Sequence, residues 1–191
     1  MWFTNDWFDF RNILDKKTCD EIKESGKSEW EESTIMGSVD KLRESDVCWT
    51  DEEWIYKLIW PHMEAANKRS GWNLDIKGAE PMQLTRYEEG GFYTWHRDGI
   101  SDNIESKNRS DNPLLNGNVR KISLTLVLND DFEGGDLEFA SYSKEKCEIT
   151  PIKAKVGDMI FFTSGMEHRI TPITKGVRYS LVVWFIGPPV R

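Results

Sequence analysis

Cysteine is scarce in this 191-residue sequence: Cys19, Cys48 and Cys147 are the only three, widely spaced and never in a Cys-x-x-Cys pair. That argues against a disulfide framework and against a cysteine-ligated zinc site, and it leads us to expect a reduced, cytoplasmic protein. Long apolar runs are also lacking. No window approaches the roughly 20 apolar residues of a membrane span, so no membrane partner is expected. The aromatic N-terminus is interrupted by Asp6 and Asp9 and has neither the basic start nor the small-residue cleavage site of a signal peptide. Positive charge is in deficit, with 25 Lys and Arg against 33 Asp and Glu and a formal net charge of -8. Phosphate backbones reward clustered basic residues, so this balance argues against nucleic acid as a partner. No internal repeat is present. Histidine is as rare as cysteine, so each of the three can be weighed by itself.

What is present describes an ordinary globular chain, 38% hydrophobic and 30% charged, long enough to bury a sizeable core. The first part reads as helical. Asp15 is an N-cap candidate ahead of a short amphipathic helix over residues 16–23. Residues 51–68 place Trp54, Leu58, Met63 and Ala66 at helical spacing, with a break or kink expected at Pro61. Residues 28–48 are mixed and polar and predict a loop with at most short strands. From about residue 79 the hydrophobic period changes to two. Segments 81–87, 121–129, 158–163 and 178–186 are rich in β-branched and aromatic residues and are separated by glycine and proline. Helices followed by several short strands predict a β-barrel or sandwich with helices packed on one face. Residues 100–118, dominated by Ser, Asn, Asp and Gly, predict the least ordered stretch, either a lid or a plain surface loop.

The chemistry-bearing residues cluster in the strand region. In an extended strand the side chains of i and i+2 share a face, so His96 and Asp98 can approach one ion together. A His-x-Asp tripeptide by itself is an ordinary surface pair. A second histidine would complete the two-histidine, one-carboxylate set of non-haem iron, and His168, after the strand 158–163 and the turn Ser164-Gly165, is the candidate. His62, following Pro61 in the helical stretch, has no ligand partner at suitable spacing and reads as structural. The strand from Arg178 alternates, with Arg178, Ser180, Val182 and Trp184 on one face. Tyr179, Leu181, Val183 and Phe185 occupy the other. An inward-facing arginine is costly unless an anion pairs with it, and its planar fork suits a carboxylate. A structural salt bridge is the simpler alternative.

The run Tyr87-Glu88-Glu89-Gly90-Gly91-Phe92-Tyr93-Thr94-Trp95-His96-Arg97-Asp98, then Gly134-Gly135-Asp136-Leu137, Gly157-Asp158-Met159-Ile160-Phe161-Phe162, His168 and Arg178, resembles the 2-oxoglutarate/iron(II) dioxygenases. Within them the match is to the prolyl 4-hydroxylase-like branch. The resemblance covers about residues 80–187. It implies a mainly β fold with supporting helices: a double-stranded β-helix (jelly-roll, cupin-like) barrel with N-terminal helices packed on one sheet. Residues 1–191 would form one domain, with 1–79 as helical support and 80–187 as the catalytic core.

Carried over by position, His96, Asp98 and His168 would ligate Fe(2+), and Arg178 would pair with the distal carboxylate of 2-oxoglutarate. Tyr87, Thr125 and Ser180 would line the co-substrate pocket. The implied activity consumes 2-oxoglutarate and O2, with ascorbate as an accessory reductant. It hydroxylates an unactivated carbon, a prolyl or other amino-acid residue of a peptide or protein being the first expectation. Trp95 and Arg97 would then point away from the metal and brace the strand. The same chemistry on a small metabolite or nucleobase, and a non-catalytic barrel binding module, are the alternatives. Collagen-type prolyl 4-hydroxylases generally carry lysine where this chain has Arg178, which counts against a collagen-like substrate.

Overall fold

Alternation of apolar and polar residues sets up two sheets, and the computed structural model shows how they close on one another. It describes residues 5–26, 29–33, 35–36, 41–99, 116–143 and 146–189. Of the expected lid, residues 100–115 lie outside the described residues; Asn116 and Gly117 form a turn into the next strand.

The larger sheet has the order β1 (Trp7–Phe10), β13 (Met159–Thr163), β9 (Val119–Val127), β16 (Arg178–Gly187), β7 (Met82–Tyr87), β5 (Asp46–Thr50) and β2 (Glu31–Glu32), with β6 (Gly78–Ala79) also on β16. The smaller sheet runs β12 (Cys147–Ile152), β11 (Leu137–Tyr142), β14 (Glu167–Ile170), β8 (Phe92–His96), β4 (Lys41–Glu44) and β3 (Ile35–Met36). A short pair, β10 (Glu133–Gly134) and β15 (Ile173–Lys175), joins their ends. All pairings are antiparallel, as a jelly-roll barrel requires.

The two faces of the larger sheet do different work. Ile122, Leu124 and Leu126 of β9 and Leu181, Val183 and Phe185 of β16 pack outward into one apolar cluster with the helices. Their strand neighbours Ser123, Thr125, Arg178 and Ser180 are equally buried but polar, and these face the barrel interior. Helix α1 (Lys16–Glu24) starts as expected, with the Asp15 carboxylate accepting from the Thr18 amide at 2.8 Å.

Two expectations need correction. Helix α2 (Glu53–Arg69) runs unbroken through Pro61. Its buried stripe is Ile55, Ile59, Met63 and Ala66, while Trp54 stays exposed, because the packing direction follows the sheet and not the nearest large side chain. The polar stretch expected to be a loop with at most short strands carries β2, β3, β4 and β5, none longer than 5 residues, and β5 pairs along its whole length with β7. Among the described residues no helix is long and apolar enough to cross a membrane.

Candidate active site

The smaller sheet delivers three ligand-type side chains to one point. His168 of β14 and His96 of β8 are direct cross-strand partners, which places their rings on the same face with centroids 4.2 Å apart. Asp98 arrives differently from the strand alternation expected. β8 ends at His96, and Asp98 sits in the following bend. The ligand atoms of His96, Asp98 and His168 all lie within 4.8 Å of one another.

Protonation can be read from the partners. The Nδ1 of His96 is 2.8 Å from the Thr94 carbonyl, and that of His168 is 3.0 Å from the Met166 carbonyl. A carbonyl only accepts, so each Nδ1 carries a proton and each ring turns its Nε2 toward the cluster. Those two nitrogens stand 3.6 and 3.7 Å from the Asp98 carboxylate oxygens. Burial alone would raise the Asp98 pKa, but His168, His96 and the Ser123 hydroxyl outweigh it and hold the carboxyl well below the usual range. For His168, burial dominates over Asp98 and lowers the pKa, which keeps the ring neutral. Asp98 Oδ2 is buried with no hydrogen-bond partner. Two ring nitrogens and a carboxylate, one of its oxygens unpartnered, therefore face one another at close range. A divalent cation bound by nitrogen and oxygen fits that donor set, with the carbonyls fixing each imidazole as outer partners.

The larger sheet supplies the opposite charge. Arg178, 2% exposed, lies across from Tyr87 on the neighbouring strand. Its Nη1 donates to Ser180 Oγ at 3.0 Å, and among the described residues no carboxylate stands within ion-pair distance of it. Burial lowers its pKa, against the pull of Tyr87 and Asp136. Gly135, at φ +63°, makes room for it: a Cβ there would meet the Arg178 Cδ at 2.9 Å.

One open-sided cavity of about 240 Å³ is lined by residues from both sheets, including His96, Asp98, His168 and Arg178, and also Tyr87, Thr125 and Ser180. His62 lies elsewhere, in the helical layer, with Nδ1 3.1 Å from the Leu58 carbonyl and its ring against Phe10. Trp95 sits under Arg169, at 4.6 Å, on a neighbouring strand; Arg97 reaches Glu167 at 3.4 Å but also lines the cavity, so it does not simply turn away from the cluster as expected.

Sequence reasoning gave no site role to several lining residues, among them Arg43, Gln83, Tyr93 and Arg120. Gln83 was detectable, because Gln83, Thr85 and Tyr87 alternate with the core residues Met82 and Leu84. Arg43 carried no such signal, since β4 is too short to show a period.

A model of the 2OG-Fe(II) oxygenase superfamily matches residues 82–186, more than half of the chain. The chain belongs to that superfamily. A PKHD-type hydroxylase of Synechococcus sp. (strain CC9311) is 30% identical over 185 residues, which cover 90% of this chain and 74% of the relative. The match to a PKHD-type hydroxylase of Xylella fastidiosa (strain M12) is 33% identical over 114 residues but spans only 43% of that relative. Among solved structures, the 2OG complex of a viral collagen prolyl hydroxylase from Paramecium Bursaria Chlorella virus-1 superposes with a TM-score of 0.68 at 19% identity, covering 96% of this chain and 97% of that one. That likeness shows the same barrel fold.

Proposed function

We propose that the chain is an iron(II)- and 2-oxoglutarate-dependent hydroxylase acting on an unactivated carbon, first of all in a prolyl or other amino-acid residue of a peptide or protein. The observation that carries this is a shared cavity in which a close His/Asp/His cluster faces an arginine with no carboxylate of its own among the described residues. Nε2 of His96, Nε2 of His168 and the Asp98 carboxylate would hold the metal. Arg178, steadied by Ser180, would grip the distal carboxylate of 2-oxoglutarate. Tyr87 and Thr125 would wall that end of the pocket.

Bound iron(II) supplies the redox chemistry: 2-oxoglutarate and dioxygen give succinate and carbon dioxide, and one oxygen atom enters the substrate C–H bond. The protein's share is placement and dryness. His96, Asp98 and His168 would hold the metal with room left for the co-substrate, and the apolar Leu137 and Ile170 line the cavity beside them. The name of the Synechococcus relative supports hydroxylation as the outcome. Arginine at 178 supports a substrate other than a collagen-like repeat.

The test is succinate release from 2-oxoglutarate under air with iron(II) and ascorbate, alongside iron-dependent binding of 2-oxoglutarate. Wild type should show both, and His168→Ala should lose turnover. No turnover together with no iron-dependent binding would refute the reading.

A further inference from the structure

The cavity holds more positive charge than its co-substrate can match. Four arginines line it: Arg43, Arg97, Arg120 and Arg178. Two are neutralised inside the protein, Arg120 by Glu80 at 2.7 Å and Arg97 by Glu167 at 3.4 Å. Arg178 and Arg43 are not. On the functional reading above, 2-oxoglutarate brings two carboxylates, one for Arg178 and one for the metal. Arg43 is left over.

Arg43 is nevertheless placed with care. It is 7% exposed, and its planar group lies 4.9 Å from the Tyr93 ring, which itself stacks on His96 at 3.5 Å. Its Nε donates to Ser45 Oγ at 2.7 Å and one Nη to Gln83 Oε1 at 3.1 Å. Both partners are neutral, as is the Tyr87 hydroxyl that Arg43 also reaches. They orient the fork and leave further N–H donors without an anion. Among the described residues no carboxylate lies within ion-pair distance, and a cation buried this way is costly unless a ligand completes it.

A second donor in the same cavity is also incomplete. Trp184 Nε1 is buried with no hydrogen-bond partner, while its ring is fixed from one side by Arg120 at 3.7 Å. An indole N–H can only donate. Two donor groups of the cavity lining, Arg43 on the smaller sheet and Trp184 on the larger, thus lack a charged and an accepting partner respectively.

We propose that the primary substrate carries its own carboxylate, received by Arg43 with Trp184 Nε1 as a supporting donor. The substrate class is then an amino acid or peptide that presents a free carboxylate one aromatic ring away from His96. This rests on the functional reading above, and it narrows the substrate from amino-acid residues in general to those presenting such a group.

The experiment uses the full chain loaded with Mn(II) and 2-oxoglutarate, titrated calorimetrically with N-acetylproline, N-acetylproline amide and N-acetylaspartic acid α-amide. At least one of the two carboxylates should bind about tenfold or more tightly than the amide. Which acid binds separates an α-carboxylate from a side-chain one. Arg43→Gln should abolish the preference while keeping 2-oxoglutarate affinity within about twofold. Equal binding of acids and amide, or no binding of any, overturns the proposal. So does loss of 2-oxoglutarate affinity in Arg43→Gln, which would assign Arg43 to the co-substrate. Failure of Mn(II) and 2-oxoglutarate to bind at all overturns the functional reading instead, so the two failures are distinct.

Discussion

A guanidinium with five donors and one neutral hydrogen-bond partner is under tension in the ligand-free protein, and Arg178 is in that position. Its value to a ligand and its cost to the fold have the same origin, so one substitution should move them in opposite directions. Arg178→Met keeps the length of the side chain and removes the buried charge. Affinity for 2-oxoglutarate should fall by at least about 30-fold, since truncating one side of a buried charge pair costs about 2–5 kcal/mol. The ligand-free variant should melt at or above the wild-type temperature, because the desolvated cation is gone. Unchanged affinity would remove Arg178 from the co-substrate site, and a large drop in melting temperature would make it a structural residue. Its inward direction was legible in the sequence, where Arg178, Ser180, Val182 and Trp184 alternate with four apolar residues of the core face. The place of Arg43 was not, since a four-residue strand offers no period to read.

At the scale of elements, helix α2 keeps a proline that the helix does not need. Pro61 is exposed and lies mid-helix, where it removes the N–H that would reach the carbonyl of Lys57. The buried stripe of Ile55, Ile59, Met63 and Ala66 against the larger sheet holds the helix together across that gap. Pro61→Ala should therefore stabilise the protein by about 1–3 kcal/mol, or about 2–4 °C in melting temperature per kcal/mol for a chain of this size. A fall in melting temperature would mean that the ring itself packs usefully. The break expected there from sequence is what propensity alone dictates, and tertiary burial overrides it. The central strands β7, β9, β13 and β16 were legible within two residues because each is rich in β-branched, aromatic or other apolar residues, with glycine and proline in the gaps between them. β1 was not, as Trp7, Phe8 and Phe10 leave no alternation to read. The bend carrying Asp98 is set by the close of β8 at His96, a tertiary event that no local period records.

Across the whole molecule, the cavity draws on both sheets, with the His/Asp/His cluster on the smaller and Arg178 on the larger. A metal alone would tie together only β8, β14 and the bend after β8. A 2-oxoglutarate chelating that metal and held by Arg178 would link one sheet to the other across the barrel. The stabilisation by the two ligands should then be ordered and more than additive. Mn(II) alone should raise the melting temperature modestly, and 2-oxoglutarate alone should do little, since its chelating end has nothing to bind. Together, at about 100 times their dissociation constants, each coupled binding event adds about 2.7 kcal/mol, which corresponds to about 5–10 °C. Chelation by EDTA should reverse the whole shift, and His168→Ala should remove it. Differential scanning fluorimetry over the four ligand combinations decides the matter. If 2-oxoglutarate stabilises equally with and without metal, it is held by Arg178 without touching the cluster, and the bridge between the sheets does not exist.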